Sequence, residues 1–303
     1  MMDRVLLFHR DYRGFTGGHL NVWHYYQHAE HSARYRPRIY FTPESDLGNE
    51  NPWRGISPPA LEHWLPAEAA VLFLAGLDWQ AVPDPAPVPV VNLIQHVRHA
   101  DPGDPRRPFL SRRAVRICIS PEVADVIKAT GEVNGPIHVI ENAVEPPTFV
   151  TDSPRDIPVL IAGFKNPPLA RAIHERLRMA GFAAECLVDQ LPRDEFLDRL
   201  ARTVVAVTIP HEREGFFLPA LEAMAVGAVV VCPDCVANRS FCRDRDTAFR
   251  PAYTLDDIVA AAITAITQPE EAADAMRFAA AAEVRRHGLD AERAAFLDIL
   301  DGM

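Results

Sequence analysis

The chain has 303 residues, 48% of them hydrophobic and 24% charged, which suits two medium domains or one large one, with real cores. With 31 Lys and Arg against 41 Asp and Glu the formal net charge is −10, which argues against non-specific binding to nucleic acid or an anionic membrane. No run approaches the ~18 apolar residues of a membrane span, MMDRVLLFHRDYRG has too short an apolar run for a signal peptide, and five cysteines read as reduced thiols, so a cytoplasmic location is expected.

Short apolar runs alternate with helical patterns. The first half offers VLLF at 5–8, RIYF at 38–41, VLFLAG at 71–76, PVVNLI at 89–94, VRICIS at 115–120 and IHVIEN at 137–142. Runs this continuous suit strands buried on both faces of a parallel sheet. Helical patterns fall at 18–32 and 121–130, the second opened by Ser120-Pro121, a cap followed by proline at the first position. PDPAPVPV at 83–90 is a stiff loop. At 145–156, EPPTFVTDSPRD reads as a linker. The alternation then restarts: VLIAG at 159–163, a helix to about 180, AECLVD, a helix at 194–201, VVAVTI, a helix, AVVVC. Helices at 255–266, 270–286 and 290–300 close the chain. Strand and helix alternating twice over imply two doubly wound α/β domains, at 1–147 and 148–289, followed by a last helical segment at 290–303.

The most informative stretch is EGFFLPALEAMAV at 214–226. VVAVTIPHEREG runs from a strand into a loop, and Leu218-Pro219 fits a helix start. Glu214 therefore lies beyond the strand's carboxyl end and Glu222 about one turn into the helix. Ligands of open α/β sheets bind outside those carboxyl ends, and a helix amino terminus offers unpaired N–H groups and a positive partial charge. A phosphate site flanked by two carboxylates that accept from hydroxyls fits a nucleotide sugar. Either Glu alone has a plainer reading: a carboxylate near a helix start stabilises it by ~0.3–1 kcal/mol. For the pair, the apolar run GFFLP after Glu214 and the buried strand after the helix weigh against a merely solvated face.

EGFFLPALEAMAVGAVVV resembles the E-G-F-x-L-P-x-L-E-A-M-A-x-G-x-P-V-V signature of retaining GT-B glycosyltransferases of family 4, densely over 204–231 and collinearly elsewhere. Phe217 replaces the usual small residue and Ala228-Val229 the usual Ala-Pro or Thr-Pro. The resemblance implies an α/β GT-B fold of two Rossmann-like doubly wound domains facing a central cleft, acceptor in the first and nucleotide sugar in the second. The last helix would cross back onto the first domain. Glu222 would hold the ribose hydroxyls and Glu214 the transferred sugar, with Gly215 and Phe216 beside the donor. Gly17-Gly18, in FTGGHLNVW, would approach the donor phosphate and the acceptor. In NLIQHVRHAD, His96 would face the transferred sugar, with His99 the nearby competitor. Lys165 would neutralise the diphosphate, although the family's Arg a few residues earlier is missing from GFK, so that either Lys165 acts alone or Arg213 or Arg239 takes that place.

No metal and no cofactor beyond the donor itself is expected. The acceptor, whether glycan, lipid, protein or small molecule, is open. CPDC at 232–235 with Cys242 invites a zinc or redox reading, but no second pair or nearby His completes a set. Two alternatives stand beside the transferase: a nucleotide-sugar epimerase on the same fold, and a catalytically inactive nucleotide-sugar-binding partner protein. A dinucleotide oxidoreductase is disfavoured, since no G-x-G-x-x-G follows either first strand.

Overall fold

The computed structural model describes residues 4–49, 51–145 and 154–303, so most of the linker read at 145–156 lies outside the described residues. The chain divides into two compact units: unit 1 is Met1–Asn142 with Leu289–Met303, and unit 2 is Ala143–Gly288.

In unit 1 the apolar runs become parallel strands: β1 (Arg4–Arg10), β2 (Tyr35–Phe41), β3 (Val71–Ala75), β4 (Val90–Ile94), β5 (Val115–Cys118) and β6 (Ile137–Val139). Their order is β2-β1-β3-β4-β5-β6. β3 and β4 are buried along their whole length, which is why they read as unbroken apolar runs. β2 is longer than its apolar run because it continues back through Pro37, which pairs in register with Leu6. As an edge strand, β2 tolerates the missing N–H. Helix α1 (Gly17–Glu30) follows β1 and is capped by Thr16, whose hydroxyl accepts from His19 N at 3.2 Å. Helix α2 (Pro121–Ala129) is capped in the same way by Ser120, accepting from Val123 N at 3.2 Å. The chain builds β2 on one side of β1 and then crosses to build β3 on the other. The switch point of this sheet therefore lies between β1 and β3.

Unit 2 repeats the plan on a smaller scale: β7 (Ile157–Ala162), α3 (Pro167–Met179), β8 (Glu185–Leu187), α4 (Arg193–Ala201), β9 (Thr203–Thr208), α5 (Leu218–Ala225), β10 (Val229–Val231), α6 (Leu255–Thr267) and α7 (Glu270–Arg286). The parallel order β10-β9-β7-β8 puts the switch point between β7 and β9. Val159, Ile161, Val205, Val207, Val229 and Val231 form the sheet side of a core closed by Ile173 and Leu177 of α3 and Ile258 and Ala262 of α6. Helix α5 stops at Gly227, whose φ of +74° is the left-handed conformation that ends a helix and that glycine adopts without strain.

The last helix, α8 (Leu289–Asp301), belongs to unit 1. Its Phe296 lies edge-on to Tyr25 of α1 at 4.9 Å between ring centroids and to Phe73 of β3 at 5.9 Å. Its buried Glu292 meets His28 Nε2 at 2.7 Å, which supplies the partner a buried carboxylate requires.

Candidate functional site

The loops beyond β7 and β9 flank the switch point of unit 2. After β7 the chain turns through residues 163–166, tied down by Gly163 N donating to Leu187 O at 2.8 Å. A side chain at 163 would meet Ala170 Cβ at 2.0 Å, so glycine lets α3 pack against the strand end. Asn166 then caps α3, accepting from Leu169 N at 3.3 Å. Lys165 stands at the rim of this turn. After β9 the chain runs through residues 209–217 into α5. Here Glu214 accepts from His211 N at 3.4 Å. Lys165 Nζ and Glu214 Oε1 are 3.2 Å apart, so the ion pair bridges the two loops of the switch point. The lysine side chain is 46% exposed and the carboxylate 14%. Such a pair adds at most ~1 kcal/mol to stability, so its importance is positional.

Glu222 lies on α5 with its carboxylate 4% exposed. Its Oε1 accepts from Arg193 Nη1 at 2.5 Å, while Oε2 has no hydrogen-bond partner among the described residues. Arg193 opens α4, which packs on α5. The two glutamates of the sequence signature thus sit with two different cations. Gly215 is buried, and the Phe216 ring is in the core against Phe241 (5.1 Å) and His287 (5.7 Å). Phe216 therefore has only its backbone to offer a ligand. Of the two arginines considered as substitutes for the missing one, Arg239 holds Asp234 at 2.8 Å, and Arg213 is exposed with its backbone N donating to His211 Nδ1 at 3.3 Å.

In unit 1, Gly17 and Gly18 are the first residues of α1. Gln95, just after β4, donates to Gly18 O at 3.2 Å and accepts from Asn21 at 3.2 Å. This brings the loop of His96 to the start of α1. His96 caps a short 3-10 helix, Val97–Ala100, its Nδ1 accepting from Arg98 N at 3.0 Å. His99 is 6% exposed, and burial, followed by the charge of Arg106, pushes its pKa down to about 3. His96 is thus the more accessible of the two.

The CPDC cysteines and Cys242 are free thiols in the core: Cys232 and Cys242 are 0% exposed and Cys235 2%. Asn238 donates to the Cys232 sulfur at 3.1 Å. Burial opposes ionisation of Cys232, but the polar groups around its sulfur, with Asn238 donating to it, outweigh that and lower its pKa. Among the described residues no group of three or more His, Cys, Asp or Glu could hold a metal ion. Among them, too, no helix is long and apolar enough to cross a membrane.

No family model matches the sequence, and no curated protein matches it. Solved structures do match over nearly the whole chain. HepE from Anabaena, in complex with UDP-glucose, superposes with a TM-score of 0.77 at 11% identity, covering 99% of this chain and 100% of that one. Sucrose-phosphate synthase from Thermosynechococcus elongatus gives 0.70 at 12%, covering 99% and 98%. A glycosyltransferase from Rickettsia africae ESF-5 gives 0.67 at 12%, again covering 99% and 98%. The fold is GT-B. At 11 to 12% identity the likeness carries the architecture and leaves the chemistry to the residues.

Within this GT-B chain, sequence reasoning missed Arg193. LPRDEF at 191–196 reads only as a helix start, and nothing local points to a carboxylate 29 positions further on. It also passed over Arg10, His19 and Asp78 of unit 1. His19 sits beside the noted Gly17-Gly18 pair, its Nδ1 3.3 Å from Arg10 Nη2, but the Asp78 that holds the other end of Arg10 is brought there by the pairing of β1 with β3 and not by adjacency.

Proposed function

We propose that this chain is a retaining glycosyltransferase that moves a sugar from a nucleoside-diphosphate sugar to an acceptor hydroxyl. The observation that carries the reading is the Lys165–Glu214 pair across the switch point of unit 2, with Glu222 on the helix that follows. It supplies a cation for a diphosphate and carboxylates for hydroxyls, in the crevice where open α/β sheets take ligands. Binding of UDP-glucose by HepE makes that compound the first donor to try.

In this reading Lys165 and the amino terminus of α5 stabilise the negative charge that grows on the leaving phosphate. Ammonium has three donors, so Lys165 can hold a phosphate oxygen while keeping Glu214. Glu214 accepts from hydroxyls of the transferred sugar and steadies the positive charge developing on its ring. Glu222 accepts from the ribose hydroxyls through Oε2. In unit 1, the reading gives His96 a sugar-binding role and the Gly17-Gly18 backbone a ligand-facing one. Because Lys165 supplies the positive charge, turnover needs no divalent ion and persists in EDTA.

Incubation with radiolabelled nucleotide sugars, UDP-glucose first, tests the reading. Transfer of label to an acceptor supports it. Binding of nucleotides without any turnover would favour an inactive partner protein, and interconversion of the sugar without transfer an epimerase.

A further inference from the structure

Unit 1 has a polar cluster at its own switch point, between β1 and β3. Asp78, in the 3-10 helix Gly76–Ala81 that follows β3, is 6% exposed. Its Oδ2 accepts from Arg10 Nη1 at 3.1 Å and from Ala75 N at 2.8 Å, and its Oδ1 lies 3.2 Å from His9 Nδ1. The other end of the Arg10 guanidinium reaches His19: Nη2 is 3.3 Å from Nδ1. A guanidinium only donates, so His19 Nδ1 is the acceptor. The neutral ring must then carry its proton on Nε2. Protonating Nδ1 would set a second cation against Arg10. Burial first, and Arg10 second, push the His19 pKa down to about 4, against the pull of Asp78 and Asp11. The ring is braced by Tyr12 at 4.8 Å between centroids, and the backbone N–H of His19 is taken by Thr16. Nε2 has no hydrogen-bond partner among the described residues. The fold has thus fixed an imidazole on one side and left one N–H to offer.

We infer that His19 is a specificity residue for the second substrate, a neutral Nε2–H donor that recognises a sugar hydroxyl of the acceptor and cannot act as the base. The identity of that ligand rests on the glycosyltransferase reading; the tautomer does not. A transferase handles two substrates, and this chain has two switch points. The one in unit 2 carries the lysine and carboxylates suited to the nucleotide sugar, which leaves that of unit 1 for the acceptor. A hydroxyl fits better than an anion, because Asp78 offsets the charge of Arg10, His19 is neutral, and Asp11 stands nearby, held by Arg13 and Thr42. A donor to the attacking oxygen would hold down its nucleophilicity, so the contact belongs to a non-reacting hydroxyl of the same sugar.

Two readouts on the full chain test this. In 15N-histidine-labelled protein, with His19→Gln used to assign the signal, the ring is expected to show a bare Nδ1 and a protonated Nε2, unchanged between pH about 5 and 8. A proton on Nδ1, or a ring that titrates in that range, overturns the donor assignment. The second readout uses UDP-glucose as donor and methyl glycosides of glucose, galactose, mannose and N-acetylglucosamine as probes. His19→Ala should raise the glycoside KM about tenfold and leave hydrolysis of UDP-glucose by water unchanged. His19→Gln, which keeps an N–H donor, should recover part of the loss. Equal losses in hydrolysis and transfer, or a Gln variant no better than Ala, contradict the acceptor role. A wild type that hydrolyses UDP-glucose but glycosylates none of the four contradicts the sugar class. A wild type that neither binds UDP nor consumes UDP-glucose sinks the glycosyltransferase reading, and the acceptor role with it, whatever the tautomer.

Discussion

Lys165, Glu214, Glu222 and Arg193 make separable forecasts because each has a different partner. Glu222→Ala should weaken nucleoside diphosphate binding by ~1.5–3 kcal/mol, the range for hydrogen bonds to a charged group, with the fold intact by circular dichroism. Arg193→Gln should give a different signature. It leaves the buried Glu222 carboxylate without its cation, and an unpaired buried charge destabilises the fold. Melting temperature should then fall further than in Glu222→Ala, which removes the buried charge itself. Lys165→Ala should cut turnover ~10²-fold while affecting donor binding less, because charge grows on the phosphate only as the bond breaks. Equal losses would make it a ground-state contact. Glu214→Gln should change UDP affinity by at most ~1 kcal/mol, the worth of a partly exposed pair, yet lower sugar transfer. A second effect concerns acid. His19 and His99 have pKa values pushed below the ordinary 6.5, to about 4 and about 3. The folded state refuses protons that the unfolded chain accepts, so their contribution is complete above pH 6.5 and is lost as pH falls toward those values. Melting temperature should drop across that window, and His99→Gln should flatten the drop.

At the scale of elements, the sequence was legible wherever burial on both faces left an unbroken apolar run. VLFLAG and PVVNLI became β3 and β4, and Leu218-Pro219 opens α5 as the proline implies. β2 was legible only in part, since tolerance of Pro37 depends on the strand lying at the edge, which sheet order decides. The turn after β7 has the same character: GFK gives no local reason for its glycine, and the reason is Ala170 on α3. Gly163→Ala should therefore cost ~1–3 kcal/mol by overpacking. The same shift displaces the base of the Lys165 turn, so the variant should lose both melting temperature and UDP affinity. Unchanged melting temperature would mean that α3 moves aside freely.

At the scale of the whole molecule, two doubly wound units were legible from the repeated alternation, because each strand–helix pair carries its own apolar pattern. The side-chain pairings of the site were legible only as residue types. The Lys165–Glu214 bridge is created by β7 and β9 becoming neighbours, and the Arg193–Glu222 pair by α4 packing on α5. Neither is encoded by spacing. The same holds for α8, whose Phe296 fills the core of unit 1 from the far end of the chain. Phe296→Ala should cost ~3–5 kcal/mol, read as a lower denaturant midpoint. In the proposed function the switch point of unit 2 holds a nucleoside diphosphate. The most direct test is a thermal-shift titration of wild type and Glu222→Ala with UDP, GDP, ADP and dTDP. At least one should stabilise the wild type saturably, by about 2.7 kcal/mol at a hundred times its Kd, and the substitution should sharply reduce the shift. A folded wild type that none of the four stabilises, or a shift that survives Glu222→Ala undiminished, would contradict it.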